Sequence, residues 1–160
     1  MSLTTAMYEA VFQRRTARRH TAIVLVSVVD RRIVPALRFV SRLAKTDVRA
    51  LHISLDYEET RQLATDWMQL DLTWLPLHIH DSPGEDLVGS VKQAVEREAR
   101  GTGDVIVIVP ELQFTRWWQP LLHRRTARRI AVQLQPLPRV TTVIVPFAPL
   151  PGRRQDPVSV

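Results

Sequence analysis

Blocks of apolar residues alternate with mixed blocks along this chain, and the alternation predicts strands and helices in turn. Apolar runs occupy positions 21–29, 48–55, 75–80, 104–109 and 140–145 and predict five strands. The run at 21–29 is rich in β-branched residues, which is typical of a strand buried on both faces. Between the runs, apolar residues recur at helical spacing, as in Ile33, Leu37, Val40 and Ala44, which indicates helices with one buried face. Five strands alternating with four helices predict an α/β fold whose parallel sheet is covered on both sides.

Capping residues mark where several of these helices begin. Asp56 precedes the second helix, with Glu59 three residues later as its capping-box partner. The segment Ser82–Glu85 offers Ser as N-cap, Pro at the first helical position and Glu at the third, and so predicts the start of the third helix. Pro120 fits the start of a fourth helix that runs to about residue 135.

The length and composition are those of a single globular domain. The chain has 160 residues, of which 45% are hydrophobic and 24% charged, a balance that excludes a disordered protein. It contains no Cys, which excludes disulfide scaffolds, thiol nucleophiles and Cys-based metal sites. The apolar run at 21–29 is too short to cross a bilayer. We predict a basic arm at 1–20, one α/β domain at 21–147 and a flexible tail at 148–160.

The net charge of +6 is concentrated outside the middle of the chain. Residues 112–136 hold five basic and no acidic residues, whereas residues 21–111 hold ten basic and fourteen acidic ones. Basic patches of this kind contact phosphates, nucleotides or lipid surfaces, although solvated Arg residues are a simpler explanation. The candidates for a membrane or docking surface are Arg14, Arg15, Arg18 and Arg19 in the arm, Trp118, and Arg124 and Arg125 in the fourth helix.

Parallel α/β sheets bind ligands beyond the carboxyl ends of their strands, where the strand order reverses. The residues that follow the first, second and fourth strands are therefore candidate nucleotide contacts, and the fourth helix adds two more. This candidate set is Asp30, Arg31, Ser54, Leu55, Pro110, Glu111, Thr126 and Arg128. Helix capping, turn formation and ion pairing are the alternative roles for the polar members.

Catalytic and metal-binding patterns are not expected. His52, His78 and His80 would cluster if the second and third strands were neighbours, but no Cys or acidic partner completes a zinc pattern. Ser27 lies inside the first predicted strand rather than on a nucleophile elbow, and no pair of carboxylates has a spacing that calls for acid–base chemistry. We predict a protein that is not an enzyme and holds no metal.

Two stretches carry a resemblance to a known family. Asp104–Glu111, a strand ending in Pro-Glu, is followed by Arg116–His123, which reads Arg-Trp-Trp-Gln-Pro-Leu-Leu-His, and then by Thr126-Ala127. They resemble the C-terminal domain of bacterial permeases of the amino acid–polyamine–organocation superfamily, which includes potassium importers. The resemblance implies a universal-stress-protein-like, Rossmann-like three-layer sandwich with strand order 3-2-1-4-5. It also implies a domain on the cytoplasmic side of the inner membrane, attached to a membrane-embedded transport domain, and some members are regulated by cyclic di-AMP.

The leading hypothesis is a regulatory domain that senses a nucleotide messenger, such as cyclic di-AMP, or mediates homodimerisation through the strand at 140–145. One alternative is a stand-alone universal stress protein that binds ATP or AMP. However, such proteins cradle phosphates with a Gly-rich loop after the fourth strand, and this chain has no Gly between Pro110 and Pro138. A ligand-free dimerisation domain is a further alternative. Contact with anionic lipid is an additional expectation, and nucleic-acid binding is not expected.

Overall fold

The structure, a computed structural model, describes residues 20–27, 29, 31, 33–43, 47–101, 103–112 and 120–147. Within these ranges, strands and helices alternate as the sequence predicts. The strands are β1 (Thr21–Leu25), β2 (Asp47–Ser54), β3 (Leu77–Asp81), β4 (Val105–Leu112) and β5 (Val140–Phe147). The helices are α1 (Val34–Leu43), α2 (Tyr57–Gln69), α3 (Leu87–Gly101) and α4 (Pro120–Leu134).

The five strands form one parallel sheet in the order β3-β2-β1-β4-β5. This arrangement confirms the predicted α/β class and the predicted strand order. The order reverses between β1 and β4, because the chain builds outward from β1 to β3 and then returns to the other side of β1. Of the five strands, β3 and β5 lie at the edges of the sheet.

Two hydrophobic clusters fill the space between the sheet and its helices. One cluster joins α1 and α2 to residues such as Ala22, Val24 and Ala50 on one face of the sheet. The other joins α3 and α4 to residues such as Ile23 and Leu51 on the opposite face. Because successive side chains of a strand point to opposite faces, β1 contributes to both clusters, and all five of its residues are buried.

The first strand is shorter than the apolar run at 21–29 that predicts it. The β-ladder ends with a hydrogen bond from the backbone N–H of Val26 to the carbonyl of Leu51 at 3.0 Å, and Ser27 is exposed. Val26 and Val29 remain buried, at 5% and 4% exposure, in the cluster beneath α1 and α2. Val26 and Val29 are therefore apolar because of core packing, even though they lie beyond the end of β1.

One predicted capping site is confirmed and another is wrong. The Asp56 side chain accepts a hydrogen bond from the backbone N–H of Glu59 at 2.9 Å, so Asp56 is the N-cap of α2.

Ser82, in contrast, does not cap α3. Its carbonyl accepts a hydrogen bond from the N–H of Glu85 at 3.2 Å, and Gly84 between them has φ of 75°. Pro followed by a Gly of positive φ is the sequence of a type II turn. The helix starts at Leu87, where Asp86 caps it by accepting from the N–H of Gly89 at 3.1 Å.

Among the helices in the described ranges, none combines the length and the apolar character that crossing a membrane requires.

Candidate functional site

A cleft opens where the strand order reverses, because β1 stops short of its neighbour β4. Pairing between β1 and β4 ends at Val24 and Ile108, whereas β4 stays paired with β5 as far as Leu112 and Phe147. The carboxyl-terminal part of β4 therefore extends past the end of β1. This is the position at which open α/β sheets bind their ligands.

The cleft has a volume of about 240 Å³ and lies between the sheet and the pair α3 and α4. Its apolar walls come from both the strands and the helices, and they include Leu25, Ile53, Val91, Val109, Ala127 and Ile130. The volume is slightly below the roughly 300–1,000 Å³ of typical small-molecule sites. A cleft of this size and lining suits one flat, mainly apolar group rather than a whole dinucleotide.

Two hydroxyl groups also line the cleft. Ser27 is exposed and lies just past the end of β1, whereas Thr126 is half-buried on α4. Each hydroxyl can donate one hydrogen bond and accept others. The exposed hydroxyl of Ser27 therefore offers a polar contact to a ligand whose body is apolar.

A buried hydrogen-bond chain connects the end of β1 to α2. His52, only 6% exposed, places Nδ1 3.0 Å from the carbonyl oxygen of Val26 and Nε2 3.0 Å from Oγ1 of Thr60. Because a carbonyl only accepts, Nδ1 is the donor in the first of these bonds. The Thr60 hydroxyl also lies 2.8 Å from the carbonyl of Asp56 and 2.9 Å from the hydroxyl of Ser54. His52 thus holds the backbone that leads into the cleft against the start of α2.

Some of the residues predicted to contact a nucleotide lie around this cleft. Pro110 and Thr126 line it. Ser54 is buried at the end of β2, but its hydroxyl faces Thr60. Leu55 is partly buried against the cluster of α3 and α4. Only two of these four residues therefore present themselves directly to the cleft.

The charged candidates lie further away. Arg31 is exposed on the loop after β1, and Glu111 is half-buried on β4, one residue beyond Pro110. Arg128 lines a different groove, of about 360 Å³, between the start of α3 and α4. Asp30 lies outside the described residues. The walls of the cleft, as the structure describes them, thus contain no charged side chain.

Most of the predicted docking surface lies outside the described part of the chain. This applies to Arg14, Arg15, Arg18, Arg19 and Trp118, and to the side chain of Arg124. Arg125 is described and is exposed on α4. On the opposite side of α4, Ala127, Ile130 and Leu134 are buried, as the helical spacing predicts.

The three histidines do not form a cluster. His52 pairs in register with Ile79, whereas Leu51 pairs with His78 and Ile53 with His80. Paired residues of neighbouring strands share a face, so His78 and His80 lie on the side of the sheet opposite His52. No group of three or more potential metal ligands occurs among the described residues.

A charged contact at the amino end of the sheet links β2 to α3. Arg49 hydrogen-bonds through Nε to Asp47 at 2.9 Å and forms an ion pair with Glu98 at 3.2 Å. The hydrogen bond to Asp47 raises the pKa of the Arg49 guanidinium above its usual value, and the charge of Glu98 acts in the same direction. This contact joins β2 to α3 at the end of the sheet remote from the cleft, and Arg49 does not line the cleft.

Sequence reasoning missed Ser27 and His52 as residues of the cleft. The apolar run at 21–29 predicts that Ser27 lies inside a strand, although a polar residue within such a run is a signal that the strand ends there. The sequence suggests only a metal-ligand role for His52. Its actual partners are a carbonyl 26 residues away and a hydroxyl on the next helix, and such contacts appear only once the fold is known.

Comparison with known protein families gives a match over most of the chain. A search of curated proteins gave no match to the chain. A family model described as the KimA potassium transporter C-terminal domain matches residues 18–147. The match begins just before β1 and ends with the last residue of β5, so it covers the whole sheet with its helices. The chain therefore belongs to the family of KimA potassium transporter C-terminal domains.

Proposed function

We propose that this chain is the regulatory domain of a bacterial potassium transporter and binds an adenine nucleotide messenger, such as cyclic di-AMP, on the cytoplasmic side of the membrane. Family membership supports the link to a transporter. The observation that carries the ligand proposal is the apolar cleft of about 240 Å³ at the reversal of strand order.

The chemistry of the cleft favours a nucleobase as the group that enters it. Leu25, Val109 and Ile130 provide apolar surface for a flat ring, and the hydroxyl of Ser27 can bond to the polar edge of a base or to a ribose. Phosphates would remain outside, because the lining of the cleft has no charged side chain. Without a Gly-rich loop after β4, this arrangement supports a cyclic dinucleotide or nucleoside better than it supports ATP.

We infer a regulatory role rather than an enzymatic one. His52 lines the cleft, but both of its ring nitrogens are in hydrogen-bond contact with Val26 and Thr60. Neither nitrogen is therefore directed at a ligand as an acid or a base. Regulation requires that the ligand bind one arrangement of the domain more tightly than another. The chain of hydrogen bonds from Val26 through His52 to α2 provides a connection between the cleft and the far side of the sheet.

Thermal unfolding with cyclic di-AMP, ATP, AMP and cyclic AMP tests this function. A ligand at one hundred times its dissociation constant adds about 2.7 kcal/mol, or roughly 5–10 °C in Tm for a domain of this size. We expect the shift with cyclic di-AMP. Ser27→Leu should remove it, because the larger side chain fills the mouth of the cleft at an exposed position.

Thr65→Leu is the matched control, since Thr65 is an exposed residue of α2 that does not line the cleft. It should leave the shift unchanged. Absence of a shift with all four nucleotides would contradict the ligand proposal, and a shift that survives in Ser27→Leu would place the ligand elsewhere. A shift with ATP but not with cyclic di-AMP would instead favour a stress-protein type of binding.

Self-association through β5 is a second candidate function. This strand lies at the edge of the sheet, and Val143 on it is 41% exposed. An exposed apolar edge strand is suited to pairing with a second copy. Sedimentation velocity should show a dimer that Val143→Lys dissociates, whereas Val132→Lys, at another exposed valine, leaves the dimer intact. A monomer at all concentrations would exclude this contact.

A further inference from the structure

The outer face of α4 combines positive charge with an exposed apolar residue. Arg125, Arg128 and Arg129 are all exposed, and at 100° per residue they fall in one sector of the helix. Val132 lies within that sector, between Arg128 and Arg129, and is 64% exposed. We call these four residues the basic face of α4. The opposite side of α4 packs in the core, so the basic face points outward.

Little negative charge opposes the basic face. Arg129 has one acidic neighbour, Asp86, with Nη2 and Oδ1 3.9 Å apart. This contact is long, and both side chains are about two-thirds exposed, so it contributes little. Within the described residues, neither Arg125 nor Arg128 forms an ion pair, and residues 112–136 contain no Asp or Glu. The face therefore keeps most of its positive charge.

The position of Val132 distinguishes among anionic partners. A nucleic acid backbone would neutralise the arginines but would give the central apolar side chain little to pack against. A bilayer offers both contacts, since lipid phosphates lie at the depth of the arginines and acyl chains begin just below them. The groove beside Arg128 has a volume of about 360 Å³ and is lined also by Arg129, Val132 and Asp86, so a headgroup in it would meet two guanidinium groups and one carboxylate.

We propose that the basic face of α4 binds the surface of a bilayer that contains anionic lipid, with Val132 entering the interface. The family places this domain in a protein that transports potassium, and hence beside a membrane. The proposal is independent of the nucleotide cleft. Arg125, Arg128, Arg129 and Val132 do not line the cleft, although Thr126 and Ala127 of the same helix do.

Vesicle flotation with the whole chain tests the proposal, using phosphatidylcholine vesicles with and without phosphatidylglycerol. The test variant is Arg125→Gln/Arg128→Gln/Arg129→Gln. The control variant, Arg42→Gln/Arg97→Gln/Arg100→Gln, removes the same charge from exposed positions on α1 and α3. The arginines of segment 1–20 are unchanged in both variants, so any contribution from that segment cancels in the comparison.

We expect binding only to the anionic vesicles. The test variant should bind roughly 100-fold more weakly, because each of its three lost arginines contributes about fivefold near such a surface. The control variant should lose far less. Val132→Ser should weaken binding several-fold through the loss of apolar burial, and the nucleotide shift in Tm should be unchanged in all variants.

Three results would overturn the proposal. The first is equal binding to vesicles with and without phosphatidylglycerol, and the second is an equal loss in the test and control variants. The third is unchanged vesicle binding in the triple test variant or in Val132→Ser. If the triple variant also loses binding to an oligonucleotide, the basic face is a nucleic-acid surface instead. Circular dichroism of each variant checks that the fold is retained, as the exposed positions of all the substitutions lead us to expect.

Discussion

Replacement of His52 by Leu tests the hydrogen-bond chain that joins the end of β1 to α2. The carbonyl oxygen of Val26 accepts a hydrogen bond from Nδ1 of His52 at 3.0 Å, in a buried position. The substitution removes this donor. A buried acceptor without its partner costs about 1–3 kcal/mol. The hydroxyl of Thr60 still has a hydrogen-bond partner in the variant, because it donates to the carbonyl of Asp56 at 2.8 Å. Loss of its contact with His52 therefore adds little to the destabilisation. We expect a destabilisation of about 2 kcal/mol, or roughly 4–8 °C in Tm.

A double-mutant cycle with Thr60→Val separates the His52–Thr60 contact from general packing effects. Thr60→Val keeps the shape of the side chain but leaves Nε2 of His52 without its hydroxyl partner, and should cost about 1–2 kcal/mol. Because the two residues touch, the double variant should be more stable than the sum of the single effects by about 1 kcal/mol. Urea unfolding of the four proteins measures this coupling.

Thr65→Val is the matched control for the loss of a helical hydroxyl. Like Thr60, Thr65 lies on α2 and bonds to the carbonyl four residues earlier, at 2.9 Å from Arg61, but it is exposed. It should change stability by less than about 0.5 kcal/mol. The reasoning is refuted if Thr60→Val costs no more than Thr65→Val, or if the effects of His52→Leu and Thr60→Val simply add.

Three further substitutions test local features by urea unfolding. Asp56→Ala should cost about 1 kcal/mol through loss of the α2 N-cap, and no change would mean that the bond to Glu59 is not formed in solution. Gly84→Ala should cost about 1 kcal/mol from its positive φ alone, since no atom lies within 4 Å of the added Cβ; a much larger loss would indicate a clash. Val95→Ala, at a fully buried position, should cost about 2 kcal/mol, whereas Val132→Ala should cost under about 0.5 kcal/mol; similar losses would contradict the assigned burial.

The elements of the fold could be predicted because each has a strong local signal. The apolar run at 104–109 is short and rich in β-branched residues, which is typical of a buried strand. The cap at Asp56 depends on contacts within four residues. Strand order followed from the family resemblance, since periodicity alone does not specify which strands are neighbours.

The predictions that failed or missed a residue depended on competing local roles or on tertiary contacts. The residue pattern of Ser82–Glu85 is compatible with a helix N-terminus and also with a type II turn. The positive φ of Gly84 shows that the segment forms the turn. The apolar character of Val26 and Val29 comes from packing under helices rather than from strand pairing. The separation of Arg128 from the cleft depends on how α4 is rotated against the sheet, and the helical period alone does not specify that rotation.

The division of the core into two clusters has a consequence for synthesis of the chain. Among the described helices, α3 and α4 cover the face of β1 and β2 that carries Ile23 and Leu51, and Leu134 at the end of α4 follows Ile23 by 111 positions. At translation rates of about 5–20 residues per second, that face stays open for roughly 6–22 s after Ile23 is made. The half of the chain that ends with β3 can bury its other face against α1 and α2 during this interval. Its open face is a predicted binding surface for ribosome-associated chaperones, which would be released when α4 docks.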